Sequence, residues 1–333
     1  MTKYLNQGKM KSHGYKSVGG EKLKAITLVT VTIISIIIVA SAFAVNTELS
    51  RNPSGNSNTI PVTNSTSNQP FATLVGNLSN PHPYYNSTYG YVTPNLWDFV
   101  NGGGSVVMHL YNNSSIKMQA NLYNAGSGID IFAYSSVHLT HDLPITLPTA
   151  YKENLSSFVS FDIKNMSSSV RNDVAYDMFL GTNVTLEYEV EIMLLDDLAG
   201  NAYSGQNESF SGVVTTIPVQ VNNITENVVW NLYVGNSASG TFPSYVLVPT
   251  IPISNSMNFE VNFVPFLSFL SSHSYISSNV SIVRLGIGTE YAISTLSHPY
   301  NFATYFLWIF SYFMLNGIKY QVIQPPPSSE AVQ

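Results

Sequence analysis

Acids are scarce in this chain, 19 among 333 residues, yet three of them alternate along one short run, VTLEYEVEIMLL, from Val184 to Leu195. A strand turns successive side chains to opposite faces. Glu187, Glu189, Glu191 and Met193 therefore share one face, and Leu186, Tyr188, Val190, Ile192 and Leu194 the other. The apolar face belongs to a core, so the acidic face must look into water or a polar cleft. A second run, VSIVRLGIGTEY, places Val280, Ile282, Arg284, Gly286, Gly288 and Glu290 together. Glycine weakens a strand and marks close approach of a ligand or another backbone, so Gly286 and Gly288 describe a floor, open to a flat ligand, that leads to Glu290. A third run, DVAYDMFL, aligns Asp173, Ala175, Asp177 and Phe179. Two glutamates facing each other across a concave sheet, with an aspartate near one of them, is the arrangement that hydrolyses glycosidic bonds.

Other chemistries lack their residues. The chain has no cysteine, which excludes a disulfide framework, a thiolate zinc site and a cysteine nucleophile. It contains no phosphate-cradling glycine loop, no His-Glu-x-x-His helix and no Gly-x-Ser-x-Gly elbow. His138 and His141 lack a third ligand and read as surface histidines. Asp196-Asp197 reads as a polar turn, because two carboxylates fall short of the oxygen set calcium requires. No metal and no cofactor is expected.

Several segments resemble the signatures of glycoside hydrolase family 12, the small β-jelly-roll endoglucanases. They are Tyr91-Val92-Thr93-Pro94-Asn95-Leu96-Trp97, Asp173-Val174-Ala175-Tyr176-Asp177-Met178-Phe179, Glu191-Ile192-Met193 with a preceding tyrosine, and Gly288-Thr289-Glu290. Trp230-Asn231-Leu232-Tyr233-Val234-Gly235 follows the family's layout too. The resemblance runs from about Tyr91 to Val322. It implies Glu191 as nucleophile, Glu290 as general acid/base and Asp177 as the aspartate bonded to the nucleophile. It implies Asn95 and Trp97 as sugar-binding residues of the cleft, with Met193 beside the nucleophile under the substrate. Leu195 stands where the family often has an aromatic residue, and Tyr291 where it has a small residue or proline, which bears on subsite specificity. The implied reaction is retaining hydrolysis: Glu191 attacks the anomeric carbon, and Glu290 first donates a proton and then activates water.

The elements that must position these residues are strands. Val106–Tyr111, Ile129–Tyr134, Val174–Leu180, Val184–Leu195, Val228–Val234, Tyr245–Ile251, Val280–Tyr291 and Thr304–Met314 are rich in β-formers and are separated by turn clusters such as Asn101-Gly102-Gly103-Gly104. Glu260–Leu270 reads as a helix, with Pro265 as its weakness. Phe302–Ile318 is apolar, but its aromatics and length favour a last strand over a membrane span. The expected fold is all-β: a two-sheet jelly roll, a concanavalin-like sandwich, with one short helix.

Before this domain come six lysines and one glutamate, then an uncharged run from Ala25 to Val45. Its 21 residues, as a helix, span about 30 Å, the thickness of a bilayer core. The lysines put the near end in the cytoplasm. The run reads either as a permanent transmembrane anchor or as a signal-peptide core cleaved after Ala42 or Ala44. The expected organisation is a basic segment 1–24, the hydrophobic segment 25–45, a Ser/Thr/Asn/Pro linker 46–70, the catalytic domain 71–323 and a Pro-rich tail 324–333. Asn-x-Ser/Thr sequons at Asn64, Asn77, Asn86, Asn112, Asn113, Asn154, Asn165, Asn183, Asn207, Asn223 and Asn279 fit an exported glycoprotein.

Past residue 45 there are seven basic residues against eighteen acids. No basic stripe for nucleic acid exists, and a surface so poor in cations limits self-repulsion in acid. The reading is a secreted or membrane-anchored endo-β-1,4-glucanase that acts outside the cell on cellulose-like glucans at acidic pH. Its partners are the β-glucan and, if the N-terminal segment is uncleaved, the membrane; no nucleic acid and no obligate protein partner are expected. The alternative is a non-catalytic surface glycoprotein, an adhesin, pilus-like or envelope subunit with a β-sandwich ectodomain.

Overall fold

The computed structural model describes residues 69–96, 102–124, 129–165, 170–182, 185–196, 209–237, 241–250, 256–294 and 301–325. The chain falls into two units, Met1–Val62 and Thr63–Gln333, and these residues all belong to the second. The basic segment, the hydrophobic segment, the linker up to residue 68 and the tail from residue 326 lie outside the described residues.

One layer is built from β1 (Ala72–Asn77), β4 (Gly102–Leu110), β5 (Ser115–Asn124), β16 (Asn301–Leu315), β8 (Ser156–Asn165) and β14 (Ser256–Asn262), paired in that order. The other runs through β12 (Ile224–Asn236), β13 (Pro243–Pro249), β10 (Leu186–Asp196), β9 (Val170–Gly181), β15 (Ser281–Ser294), β6 (Ile129–Leu139), β3 (Gly90–Thr93) and β2 (Tyr85–Asn86). β11 (Ser209–Val221) joins them, pairing along β12 and, at Gln220 and Val221, with β14. Short β7 (Ile145–Thr146) extends β15, and β17 (Ile318–Tyr320) extends β16. Every pairing is antiparallel except β10 with β13. Both tight hairpins use left-handed residues: Asn222 and Asn223 (φ 50° and 66°) join β11 to β12, and Asn316-Gly317 (φ 53° and 75°) joins β16 to β17.

The core lies between the layers. Met108, Met118, Phe161, Leu307 and Phe313 face Tyr176, Met178, Ile192, Leu285 and Ile287, all buried in one cluster, and Tyr176 of β9 meets Phe313 of β16 edge-on at 6.5 Å. Each strand thus spends one side on the core and leaves the other outside, which is the alternation seen in β9 and β10.

Three expectations change. Glu260 belongs to β14, and the helix α2 runs from Val264 to Ser272. Pro265 opens that helix in its first turn, where a missing N–H costs nothing, and does not interrupt it. A second helix, α1 (Leu147–Glu153), also begins with a proline in its first turn and ends at a left-handed Asn154. Lastly, a register shift between Ile282 and Arg284 leaves Val283 as an extra residue in β15. Ile282 is therefore in the core with Leu285 and Ile287, and Val280 is buried with it, on the opposite side from Arg284. The apolar stretch Phe302–Ile318 is mostly β16, flanked by β5 and β8; no helix among the described residues is long and apolar enough to cross a membrane.

Candidate active site

β10 positions the acidic face. Val190, Ile192 and Leu194 are fully buried in the core, which forces Glu187, Glu189 and Glu191, all half-buried, to the outer side of this layer. β9 lies alongside, with Asp177 directly opposite Glu191. On the far side of β9, β15 sets Gly286 opposite Asp177 and Gly288 opposite Ala175. Tyr233, Val246, Glu191, Asp177, Gly286, His138 and Tyr91 thus stand side by side across seven strands. One level along come Met193, Ala175, Gly288, Ser136 and Thr93.

The glycine floor is occupied by the protein's own rings. A Cβ at Gly286 would meet His138 Nδ1 at 2.6 Å, and one at Gly288 would meet the Ser135 carbonyl at 2.6 Å and the Tyr134 ring at 2.9 Å. The imidazole of His138, expected at the surface, is 4% exposed. It is stacked on Tyr91 at 4.5 Å and bonded to Ser136 Oγ at 2.7 Å. Burial, helped by the charge of Arg284, lowers its pKa to about 3, so it stays neutral. Tyr134, the residue opposite Glu290, donates its hydroxyl to the Ala175 carbonyl. From sequence His138 reads only as a surface histidine and Tyr134 is not singled out; the signal is the pair of glycines, which implies bulky neighbours on the next strand.

Glu290 comes next along β15, half-buried. Its backbone N–H donates to Asp173 Oδ1 at 2.8 Å, and the Thr289 hydroxyl donates to the Asp173 carbonyl. Asp173 is fully buried within β9 and ties that strand to the backbone at Glu290. The acids converge on one place. Burial raises the Glu191 pKa well above the usual carboxylate range, and the charges of Glu189, Glu290, Asp177 and Asp173 raise it further. Burial lifts Asp177 to about 7 against the pull of Arg284. Tyr134 is held protonated first by burial and then by Asp177, Asp173, Glu191 and Glu290. Carboxyls that oppose one another's ionisation share protons as a group, and such a site holds acid and base forms side by side.

The remaining expected residues fall as follows. Asn95 takes a left-handed turn (φ 38°), accepts the Tyr134 N–H at its carbonyl and bonds His82 through its side chain, which puts it at the Glu290 end. Met193 shares the face of Glu191 but is fully buried with Ala175, Val246 and Val248, with Tyr233 packed on that cluster; it shapes the floor from beneath. Trp97 and Asp197 lie outside the described residues. His141 sits apart from His138, beside Asp142 at 3.1 Å.

Residues 89–306 match the family described as Glycosyl hydrolase family 12. The chain belongs to this family. Family 12 membership assigns it to the glycoside hydrolases. It is 24% identical over 209 residues, 63% of this chain and 69% of the relative, to the xyloglucan-specific endo-beta-1,4-glucanase 1 of Phytophthora nicotianae. It is also 24% identical over 204 residues, 59% of this chain and 76% of the relative, to a protein of the same organism named inactive glycoside hydrolase XLP1. The family 12 endoglucanase 3 of Trichoderma harzianum superposes with a TM-score of 0.53 at 19% identity, over 73% of this chain and 98% of that one. The family 12 xyloglucanase of Bacillus licheniformis does so with 0.53 at 16%, over 73% and 100%. At these identities the two structures speak for the fold, the family 12 jelly roll expected from the sequence.

Proposed function

We propose that this chain is an endo-acting, retaining β-1,4-glucanase that works outside the cell. The observation that carries the reading is the convergence of Glu191 and Glu290, on separate strands, upon the Asp177 and Tyr134 between them. In this mechanism Glu191 attacks the anomeric carbon from below, and the leaving oxygen takes the proton of Glu290. Water then attacks the glycosyl-enzyme with Glu290 as base, and the sugar departs with its configuration retained. Asp177, adjacent to Glu191, keeps a proton in acid because burial raises its pKa to about 7. While the sugar is attached Asp177 keeps that proton, and when the sugar leaves it shares the proton with the freed Glu191 carboxylate, so that the single negative charge regained there is spread over the pair.

The substrate is a β-1,4-glucan backbone, and the names of the Phytophthora relatives make xyloglucan the first one to try. A second reading, a glycan-binding protein without activity, is favoured by the relative named inactive; against it stand Glu191, Asp177 and Glu290, all present and near enough for their charges to act on one another. Export, through the hydrophobic segment as signal or anchor, is supported by the exposed sequons at Asn86, Asn112, Asn113, Asn154, Asn223 and Asn279.

Reducing-sugar release from xyloglucan, carboxymethyl cellulose, mixed-linkage glucan and xylan between pH 3 and 8 tests the activity, with an optimum expected below 7. Glu191→Gln and Glu290→Gln are each expected to reduce the best rate by at least about 10²–10⁴-fold while Tm is kept. The first product anomer, read by proton NMR, is expected to be β. Wild-type rates from either variant would sink the catalytic assignment, and no release from any glucan would favour the binding protein.

A further inference from the structure

Arg284 shares the outer face of Gly286, Gly288 and Glu290 by plain alternation, and the irregularity of β15 falls just before it. The extra residue Val283 turns Ile282 into the core, so Arg284 is the first residue of that outer row. Arg284 pairs with Phe179 of β9, and its guanidinium lies over that ring at 5.0 Å. Phe242 braces Phe179 edge-on at 6.3 Å. A guanidinium held against a ring by cation–π attraction keeps its edge, with five N–H donors in a rigid fork, available to an acceptor. Among the described residues that edge meets no hydrogen-bond acceptor and no carboxylate within ion-pair distance, although Asp177, one level away, feels its charge. The side chain is half-buried and so reachable.

Along β15 the two walls of the floor are then Arg284 and Glu290, with the His138 and Tyr134 rings between them over the two glycines. Six residues of strand separate their Cα atoms by about 20 Å, room for a sugar ring with a side chain from each wall. A donor fork braced on aromatic rings suits a polyhydroxylated ligand: adjacent hydroxyl oxygens accept from one edge of the fork while the neighbouring ring covers the sugar's apolar face.

The geometry points to Arg284 as a substrate-binding residue, its guanidinium edge donating hydrogen bonds to hydroxyls of a glycosyl unit bound across the cleft from Glu290. This rests on the reading of the cleft as a glucan-hydrolysing site. A fork is lost by lysine as well as by glutamine, whereas charge is lost by glutamine alone, so the two substitutions separate binding from electrostatics.

The test measures kcat and KM on soluble xyloglucan for the wild type, Arg284→Lys and Arg284→Gln from pH 4 to 7. It also measures calorimetric binding of a β-1,4-gluco-oligosaccharide to each variant in a Glu191→Gln background. Both substitutions are expected to raise KM and weaken binding about tenfold or more, with kcat within about twofold; the pH profile stays in place in Arg284→Lys, and in Arg284→Gln the Asp177 limb moves to higher pH because the charge is gone. Wild-type KM and binding in Arg284→Lys would overturn the proposal, as would unchanged KM with a displaced acid limb in Arg284→Gln, which is the mark of a charge acting on Asp177 alone. If Arg284→Gln does not fold, as judged by Tm, Arg284→Lys decides. Should Glu191→Gln hydrolyse at the wild-type rate, the catalytic reading fails, and the binding comparison in that background still judges Arg284 separately.

Discussion

At the scale of single residues, the cleft is controlled by what stands over two glycines and by one shared proton. Gly288 is enclosed by the Ser135 carbonyl, the Ser136 side chain and the Tyr134 ring, whereas the atoms nearest a Cβ at Gly286 belong to the His138 imidazole. A backbone carbonyl cannot step aside, but a ring can tilt. Gly288→Ala is therefore expected to cost about 1–3 kcal/mol of stability, and Gly286→Ala less, with urea denaturation as the measure; equal stability of Gly288→Ala and wild type would mean that the strands are not this close. Asp177 gives the second expectation. It holds its proton up to about 7 because of burial, so Asp177→Asn keeps a neutral side chain of the same shape but can no longer exchange a proton with Glu191. The rate should fall, and the pH–rate profile should lose the limb that belongs to the pair. A fall in rate with the whole profile preserved would count against proton sharing.

At the scale of elements, what could be read from sequence was whatever period and composition encode. Alternation gave the faces of β9 and, between Tyr188 and Met193, of β10, whose register shifts on either side of that stretch; Asp177 beside Glu191, implied by the family resemblance, falls where the register is unbroken. In β15 the same counting failed below Arg284, since one extra residue reverses the faces and no composition signals it. The rings of His138 and Tyr134 were missed for a related reason: they belong to β6, and pairing between β6 and β15 is set by the whole fold. Asp173 looked like one acid of a row, and only the packed strands show it holding the Glu290 backbone. Pro265 was read as a breaker when it is a starter. That difference can be measured: Pro265→Ala should change stability by less than about 1 kcal/mol, while Leu267→Pro, inside α2 and fully buried, should cost about 3 kcal/mol or more. A large loss from Pro265→Ala would put the proline inside the helix after all.

At the scale of the whole molecule, the cleft's burial of titratable groups dictates how the fold responds to acid. Asp177 and Glu191 have pKa values raised by folding, so the stability they contribute is fully present below about 4 and is lost as pH rises, for Asp177 through about 7. His138 has its pKa lowered to about 3, so its contribution is present above 6.5 and is lost as pH falls toward 3. Each unmatched proton is worth about 1.4 kcal/mol per pH unit. Between about 4.5 and 6.5 the two carboxyls favour acid and one imidazole opposes them, leaving stability to fall as pH rises. Below about 3.8 the imidazole acts alone and stability falls the other way. The native protein should thus be most stable near pH 4, in keeping with a surface that carries few cations to repel one another in acid. Scanning Tm from pH 3 to 8 measures this directly. Asp177→Asn should make the slope between 4.5 and 6.5 shallower, because one of the two carboxyls that favour acid is gone, and a wild-type Tm that climbs steadily from pH 4 to 7 would show that these carboxyls are not held protonated by the fold.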